Sequence, residues 1–338
     1  MAEWRSRWQS ALFTALILSP APAVAKQDSA QQPVIDMHVH AGRVRWAEPV
    51  AVCPGDQRIT YPALDPKSQS ASLQPRCARP ILSPATNAAL KNDTIAELRR
   101  HNVRRAVLAG TPELVGDWQA AAPGLFIPAS VPAELSAQGL EKLRELNETR
   151  GAAVFAELGA QYLGLGADDP QLAAFWALAE KLDVPVGIHL GEGMPLDPRG
   201  PATRYRSALT SPFQLEPVLR KHPRLRIYIM HYGSPLVDET IAMLFTYPSL
   251  HVDVGANVWN MPRAQFYDHL RRLVEAGFSE RILFGSDQTA WPQGIGLAIR
   301  TINEAPFLSA EQKRDILYNN AARFLRLSPA EIAKDHGR

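Results

Sequence analysis

Eight short apolar runs divide the chain: Val34–Val39, Arg105–Ala109, Leu125–Ala129, Ala153–Ala156, Val184–Ile188, Leu225–Met230, Leu250–Val254 and Arg281–Phe284. Each is four to six residues long and rich in Val, Ile, Leu and Phe, as expected for parallel strands buried on both faces. Between them lie segments with apolar residues at three- and four-residue spacing: Thr94–His101, Leu172–Leu182, Pro212–Lys221, Ala264–Ala276 and Ala310–Leu325. In Leu172–Leu182 the buried stripe reads as Phe175, Trp176, Leu178 and Ala179. Strand–helix alternation demands parallel pairing with right-handed crossovers. Eight such units make a (β/α)8 TIM barrel of α/β class. An open doubly wound sheet is the main rival, disfavoured because no Gly-rich dinucleotide turn follows the first run. The stretch from Ala41 to about Asn92 is too long for an ordinary βα connection. The expected architecture is therefore a barrel with a long first βα loop.

Charge excludes some partners. With 36 Lys and Arg against 34 Asp and Glu, the net charge is +2, so neither nucleic acid nor an anionic membrane surface is implied. The N-terminus carries a different signal. Arg5 and Arg7 precede the apolar stretch Ala11–Leu18, then Pro20, Pro22 and Ala23-Val24-Ala25. That is the order of a secretory signal, and the apolar run falls short of the ~20 residues that span a bilayer. The expectation is a signal peptide over residues 1–25, cleaved near Ala25, and one catalytic domain over 26–338. The mature protein is expected to be secreted or periplasmic and free of the membrane. Cys53 and Cys77 lie in the long first loop. An oxidising compartment would allow them to pair, and no CxxC spacing marks them as metal ligands.

Polar residues close several of the apolar runs. Asp36-Met37-His38-Val39-His40 ends the first, Glu157 the fourth, His189 the fifth, His231 the sixth and Asp287 the eighth. Barrel enzymes place catalytic groups at the C-terminal ends of strands. Period-two alternation puts Asp36, His38 and His40 on one side, the barrel interior. Two imidazoles projecting together can share a metal ion, with Asp36 one layer deeper to orient a ligand histidine. Taken singly, His189 and His231 read equally well as buried, backbone-bonded histidines, and Asp287 as a helix N-cap. Their recurrence at successive strand ends points to a site. Burying such groups without a cation is costly, and His and Asp donors suit zinc first, with iron, manganese or cobalt open. Arg204 and Arg206 could pair with a substrate carboxylate, although solvated loop charges are the plainer reading. Trp259, Asn260 and Trp291 could form a pocket wall or simply pack.

The motifs Asp36–His40, Ala156-Glu157-Leu158-Gly159, Gly187-Ile188-His189, Met230-His231-Tyr232-Gly233 and Phe284-Gly285-Ser286-Asp287 span nearly the whole mature chain. In them the sequence resembles the amidohydrolase superfamily, particularly its amidohydrolase-related (type 2) branch. The resemblance implies a (β/α)8 barrel with His38, His40 and Asp287 on a first divalent metal and His189 as a further ligand. His231 then binds a second ion or acts on the substrate as an electrophile, and Glu157 is the residue that would bridge two ions. One ion is favoured over two. The implied activity is a metal-dependent hydrolase that cleaves an amide, lactone or ester of a small molecule with metal-activated water. Asp287 would move the proton and His231 would polarise the carbonyl. The alternatives are a metal-dependent decarboxylase of an aromatic or unsaturated carboxylate, and an exported, non-catalytic metal-binding protein. Barrels of this branch often associate, so a homo-oligomer is compatible with the resemblance.

Overall fold

A computed structural model describes residues 32–65, 67, 74–193 and 204–337. The stretch read as a signal peptide, residues 1–25, lies outside the described residues. Ten strands form: β1 (Val34–His40), β2 (Ala51–Val52), β3 (Ile81–Leu82), β4 (Val103–Ala109), β5 (Phe126–Pro128), β6 (Phe155–Leu158), β7 (Val186–His189), β8 (Ile227–Met230), β9 (His251–Asp253) and β10 (Ile282–Leu283). Apart from β2 and β3, every one falls within or beside one of the eight apolar runs. Pairing is parallel in the orders β1-β4-β5 and β6-β7-β8-β9-β10. A parallel bridge between Ala129 and Val154 joins the two sets. The circle closes where Met37 N–H donates to Phe284 O at 2.8 Å and Asp287 N–H to His38 O at 2.7 Å. The expected TIM barrel is therefore present. No helix among the described residues is long and apolar enough to cross a membrane.

Two apolar layers hold the barrel. The outer one lies between strands and helices and includes Leu90, Leu98, Trp118, Phe175, Trp176, Phe266 and Ile295, each at most 2 % exposed. The inner one contains Ile35, Met37, Val107, Ala109, Val154, Tyr228, Met230 and Leu283, together with Tyr318, Ala321 and Phe324. These last residues come from the segment over 315–324, which closes the end of the barrel where strands begin: Asn320 Nδ2 donates to Ser279 O and Ile282 O. Ala310–Leu325 is thus not one helix. A π-helical turn over Asp315–Asn319 separates Ala310–Arg314 from Asn320–Phe324. Each fully buried large apolar side chain contributes roughly 1.5–3 kcal/mol, so this double layer is the main source of rigidity under the site.

A bulge in β1 changes one expectation. Asp36 pairs with Ala106 and His40 with Ala109, so four steps along β1 match three along β4. The extra residue resets the alternation. Asp36 shares a register position with Ala106 of the outer layer, whereas His40 shares one with Ala109 of the inner layer. Asp36 therefore does not face the interior with the two histidines.

The long first loop ends at Thr86, whose hydroxyl accepts from Ala89 N–H and caps the helix Asn87–Arg100. It is shorter than the sequence suggested, and it is laced rather than open. β2 and β3 pair antiparallel, Thr60 and Arg76 exchange two backbone bonds of 2.9 Å, and Cys53 is bonded to Cys77 with their Cα atoms 5.8 Å apart. Gly55 docks this ribbon on the loop after β9. Its N–H donates to Trp259 O at 2.7 Å and its carbonyl accepts from Arg263 N–H at 2.8 Å. Trp291, on the loop after β10, donates its indole N–H to Val50 O at 2.9 Å. The ribbon is therefore a fixed wall beside the ends of β9 and β10.

The disulfide closes a loop with a sequence separation of 24, for which the chain-entropy model gives about 3 kcal/mol. The double variant Cys53→Ala/Cys77→Ala should lose about that much in urea unfolding, and wild type under reductant should match it. An unchanged midpoint in both would show that the cross-link does not stabilise the fold.

Candidate metal centre

Six side chains from five strand ends meet at the C-terminal mouth of the barrel. The Nε2 atoms of His38 and His40 are 3.1 Å apart. Glu157 Oε2 lies 3.6 Å from the first and 3.3 Å from the second. Asp287 Oδ1 lies 3.7 Å from His38 Nε2 and 3.1 Å from His40 Nε2. On the other side of the cluster His231 Nε2 is 3.5 Å from Glu157 Oε1, and the rings of His189 and His231 meet edge-on at 4.6 Å. Ligand atoms about 2.0–2.2 Å from a tetrahedral zinc lie roughly 3.3–3.6 Å from one another. The donors thus stand at the spacing a bound ion requires. Three groupings bring their donor atoms within 4.8 Å: His38, His231 and Asp287; His38, His40 and Glu157; and Glu157, His189 and His231.

The orientation of each imidazole is set by what its Nδ1 touches. His38 Nδ1 sits 2.9 Å from Asp253 Oδ2, His231 Nδ1 lies 3.1 Å from the carbonyl of Gly255, and His189 Nδ1 lies 3.0 Å from Gln161 Oε1. All three partners are acceptors, so each Nδ1 carries the proton and each Nε2 presents a lone pair. The Gln161 amide is oriented by its own donors, which reach Thr210 Oγ1 at 2.9 Å and Gly191 O at 3.2 Å. Ligand histidines are held in this way, with one nitrogen anchored and the other free. His231 Nε2 and Asp287 Oδ1 are buried and have no hydrogen-bond partner among the described residues. For Asp287 the nearby His40 nitrogen is close but not aligned as a donor. Orphaned buried polar atoms are costly, and both residues belong to a grouping of possible cation ligands with His38.

Electrostatics agree. Burial alone would drive His38 and His40 toward the neutral form, but Asp287, Asp253 and Glu157 outweigh it, raising His38 well above its ordinary value and His40 to about 9. His231 is raised in the same manner, burial being offset by Glu157 and Asp287. Burial raises the carboxylates of Glu157 and Asp287, yet the imidazoles pull both below the usual range. His189 goes the other way: burial, reinforced by His231, lowers it to about 4, so its ring stays neutral. The cluster concentrates negative potential where positive charge must reside.

Local backbone geometry serves the same end. His231, Tyr232 and Asp287 adopt left-handed φ values of 62°, 44° and 45°, a conformation that costs a non-glycine residue of order 1–3 kcal/mol. Of the eight described non-glycine residues with positive φ, two, His231 and Asp287, are in the cluster.

Asp36 plays a different part from the one expected. Its Oδ1 accepts from the backbone N–H of His38 at 3.0 Å and of Ser286 at 2.9 Å, tying β1 to the strand end that carries Asp287. It is fully buried, and burial raises its pKa to about 6 despite those bonds. The residue that orients His38 is Asp253, which also accepts from the backbone N–H groups of His231 and Gly255 at 2.9 and 2.8 Å. The sequence offered a signal for it, an acid inside the apolar run Leu250–Val254. Gln161 carried no comparable signal. Gln288 was missed as well; it brackets the backbone of His40, accepting from its N–H at 3.1 Å and donating to its carbonyl at 2.8 Å. Tyr162, 46 % exposed, holds its hydroxyl 3.1 Å from His189 Nε2. Trp259 is buried and donates to Ser286 O, so it packs rather than lining a pocket, as does Trp291. Arg204 and Arg206 are exposed on their loop.

Comparison with known proteins places this geometry in a lineage. No curated protein matches the chain. Among solved structures it is similar to a protein described as a probable 2-pyrone-4,6-dicarboxylic acid hydrolase of Acinetobacter baumannii, with TM-score 0.57 and 16% identity over 87% of this chain and 99% of that one. It is similar to an uncharacterized TIM-barrel protein of Bordetella bronchiseptica, with TM-score 0.54 and 19% identity over 72% and 82%. It also resembles 2,6-dihydroxybenzoate decarboxylase, with TM-score 0.52 and 20% identity over 69% and 87%. At these identities the likeness establishes the barrel alone. The sequence profile of the Amidohydrolase family (Amidohydro_2) matches residues 35–327, a span that begins beside His38 and His40 and runs past Asp287, and the chain belongs to that family.

Proposed function

We propose that this protein is a metal-dependent hydrolase that cleaves an amide, lactone or ester bond of a small molecule. The observation that carries the reading is the convergence of imidazole nitrogens and carboxylate oxygens from five strand ends, with His231 Nε2 and Asp287 Oδ1 buried and unpartnered among the described residues. His38, His40, His189 and Asp287 would hold the ion, with Glu157 available to bridge a second. Their nitrogen and oxygen donors suit Zn2+. When bound, such an ion supplies Lewis acidity, polarising a carbonyl and acidifying water near neutral pH.

The chain's own residues divide the remaining work. Asp287 is kept as a carboxylate by His38, His40 and His231 despite its burial, which suits it to accept the proton of an attacking water and hand it to the leaving group. His231 has its Nδ1 proton fixed on Gly255 O. When protonated at Nε2 it can donate to the substrate carbonyl, a preorganised contact that strengthens as negative charge develops there. A second reading is decarboxylation, in which the proton on His231 would go to the carbon that loses CO2. The raised pKa of His231 supports that step as well as carbonyl activation. The leader at residues 1–25 and the Cys53–Cys77 bond support work in an oxidising compartment outside the cytoplasm.

Metal stoichiometry on purified protein, combined with a screen of lactones, amides, esters and aromatic carboxylates, tests the reading. Acid release without CO2 is the expected outcome, whereas CO2 evolution would favour decarboxylation. Asp287→Asn should cut kcat by at least 10²-fold, within the range assigned to a general base, while part of the metal remains bound. Near-normal turnover in that variant would refute the proton role. Asp253→Asn should weaken metal binding by about 10–100-fold, as loss of an outer carboxylate partner does. Unaltered affinity measured by chelator competition would show that His38 does not depend on Asp253.

A further inference from the structure

Three glycines stand two residues from a site residue, each at the end of a different strand: His189-Leu190-Gly191, Asp253-Val254-Gly255 and Gly285-Ser286-Asp287. None of the three holds a positive φ, so no left-handed turn accounts for them. What they share is the absence of room. A Cβ on Gly255 would lie 2.5 Å from His38 Nδ1, 3.1 Å from Asp253 Oδ1 and 3.2 Å from Asp287 Cβ. One on Gly285 would lie 2.7 Å from His38 Cβ and 3.2 Å from Asp253 Oδ2. One on Gly191 would lie 2.9 Å from His231 Cβ and 3.1 Å from its Cγ. Two of these glycines therefore flank one imidazole and its carboxylate partner, and the third lies against the other imidazole with a bare lone pair.

We infer that Gly255 and Gly285 form a slot that seats the His38 imidazole against Asp253, and that Gly191 provides the corresponding flat surface for His231. They act as positioning residues. The imidazoles occupy the volume that side chains at these positions would take. Hydrogen bonding alone leaves a ring free to tilt about its anchored nitrogen; contact with backbone on either side removes that freedom. Ligand constellations must be held within about 0.5 Å of their working geometry, and a methyl group 2.5 Å from His38 Nδ1 or 2.7 Å from its Cβ forces this side chain to shift. Gly187 shows the same device one layer lower. Its missing Cβ would lie 2.5 Å from the Tyr228 hydroxyl, which crosses the interior to donate to Met37 O. The inference rests on the reading of the cluster as a metal site.

Cobalt binding tests it without turnover. The full-length wild type, stripped of metal and titrated with Co2+, is expected to develop a visible d–d spectrum. If it binds no Co2+, the metal-site reading itself fails. Gly285→Ala and Gly255→Ala should weaken Co2+ binding by at least tenfold and alter the band positions. Meanwhile far-UV circular dichroism and the Tm of the metal-free protein should stay near wild type. Gly116→Ala, in a helix where an added Cβ meets nothing within 4 Å, should leave affinity and spectrum unchanged. Should either slot variant fail to fold, Gly191→Ala decides the matter, because its nearest contact, 2.9 Å to His231 Cβ, is the least tight of the three and leaves the Asp253 carboxylate untouched. Its expected signature is a weaker or shifted Co2+ complex. Wild-type affinity and spectrum in the folded glycine variants would overturn the inference.

Discussion

Three buried carboxylates, Asp36, Asp253 and Asp287, and the half-buried Glu157 sit around four imidazoles at the mouth of the barrel, and the rest of the structure depends on keeping them there. In a site this dry an unpaired charge costs several kcal/mol. Asp36 and Asp253 accept from backbone N–H groups, and imidazoles stand beside Glu157 and Asp287, yet Asp287 Oδ1 still has no hydrogen-bond partner among the described residues. Asp253 is the keystone. A single carboxylate binds the ring of His38 and the backbone of both His231 and Gly255, so one side chain sets the orientation of one imidazole and the position of another.

That electrostatic arrangement requires a rigid frame, and the barrel provides it through two apolar layers and a closed ring of parallel hydrogen bonds. The site residues occupy the ends of β1, β6, β7 and β8 and the loop just past β10, while Asp253 ends β9. The neighbouring strands β8 and β9, for example, cannot move apart without breaking both the ladder and the contact of Asp253 with His231. The first βα loop adds a further restraint. Its ribbon is cross-linked through Cys53–Cys77 and docked by Gly55 and Val50 on the loops that follow β9 and β10. The strained backbone at His231 and Asp287 persists because packing on all sides determines it.

Much of this was legible before the structure. The eight apolar runs announced the strands because parallel strands covered on both faces need continuous apolar sequence. His38, His40, Glu157, His189, His231 and Asp287 were visible because a polar residue at the end of such a run has no packing reason to be there. Asp253 was hidden by lying inside its run rather than at its end. Gln161 was hidden in a short 3-10 turn with nothing periodic about it. The misreading of Asp36 has a specific cause. Period-two reasoning assumes an unbroken strand, and the extra residue between Asp36 and His40 breaks the phase. Nothing in the pattern Asp36-Met37-His38-Val39-His40 reveals a bulge, because the bulge is defined by its pairing with β4.

What the sequence by itself determined is the inventory: a (β/α)8 barrel, membership of the amidohydrolase family, and a set of nitrogen and oxygen donors at strand ends. These follow from local pattern, since hydrophobic period and strand-end chemistry are properties of short segments. Only the tertiary structure decided which donors converge, which nitrogen of each imidazole is bare, and which residue holds each ring. Those are relations between atoms distant in the chain, from the 24 residues between His231 and Gly255 to the 215 between His38 and Asp253. They are settled by barrel closure, strand register and the space that three glycines leave empty.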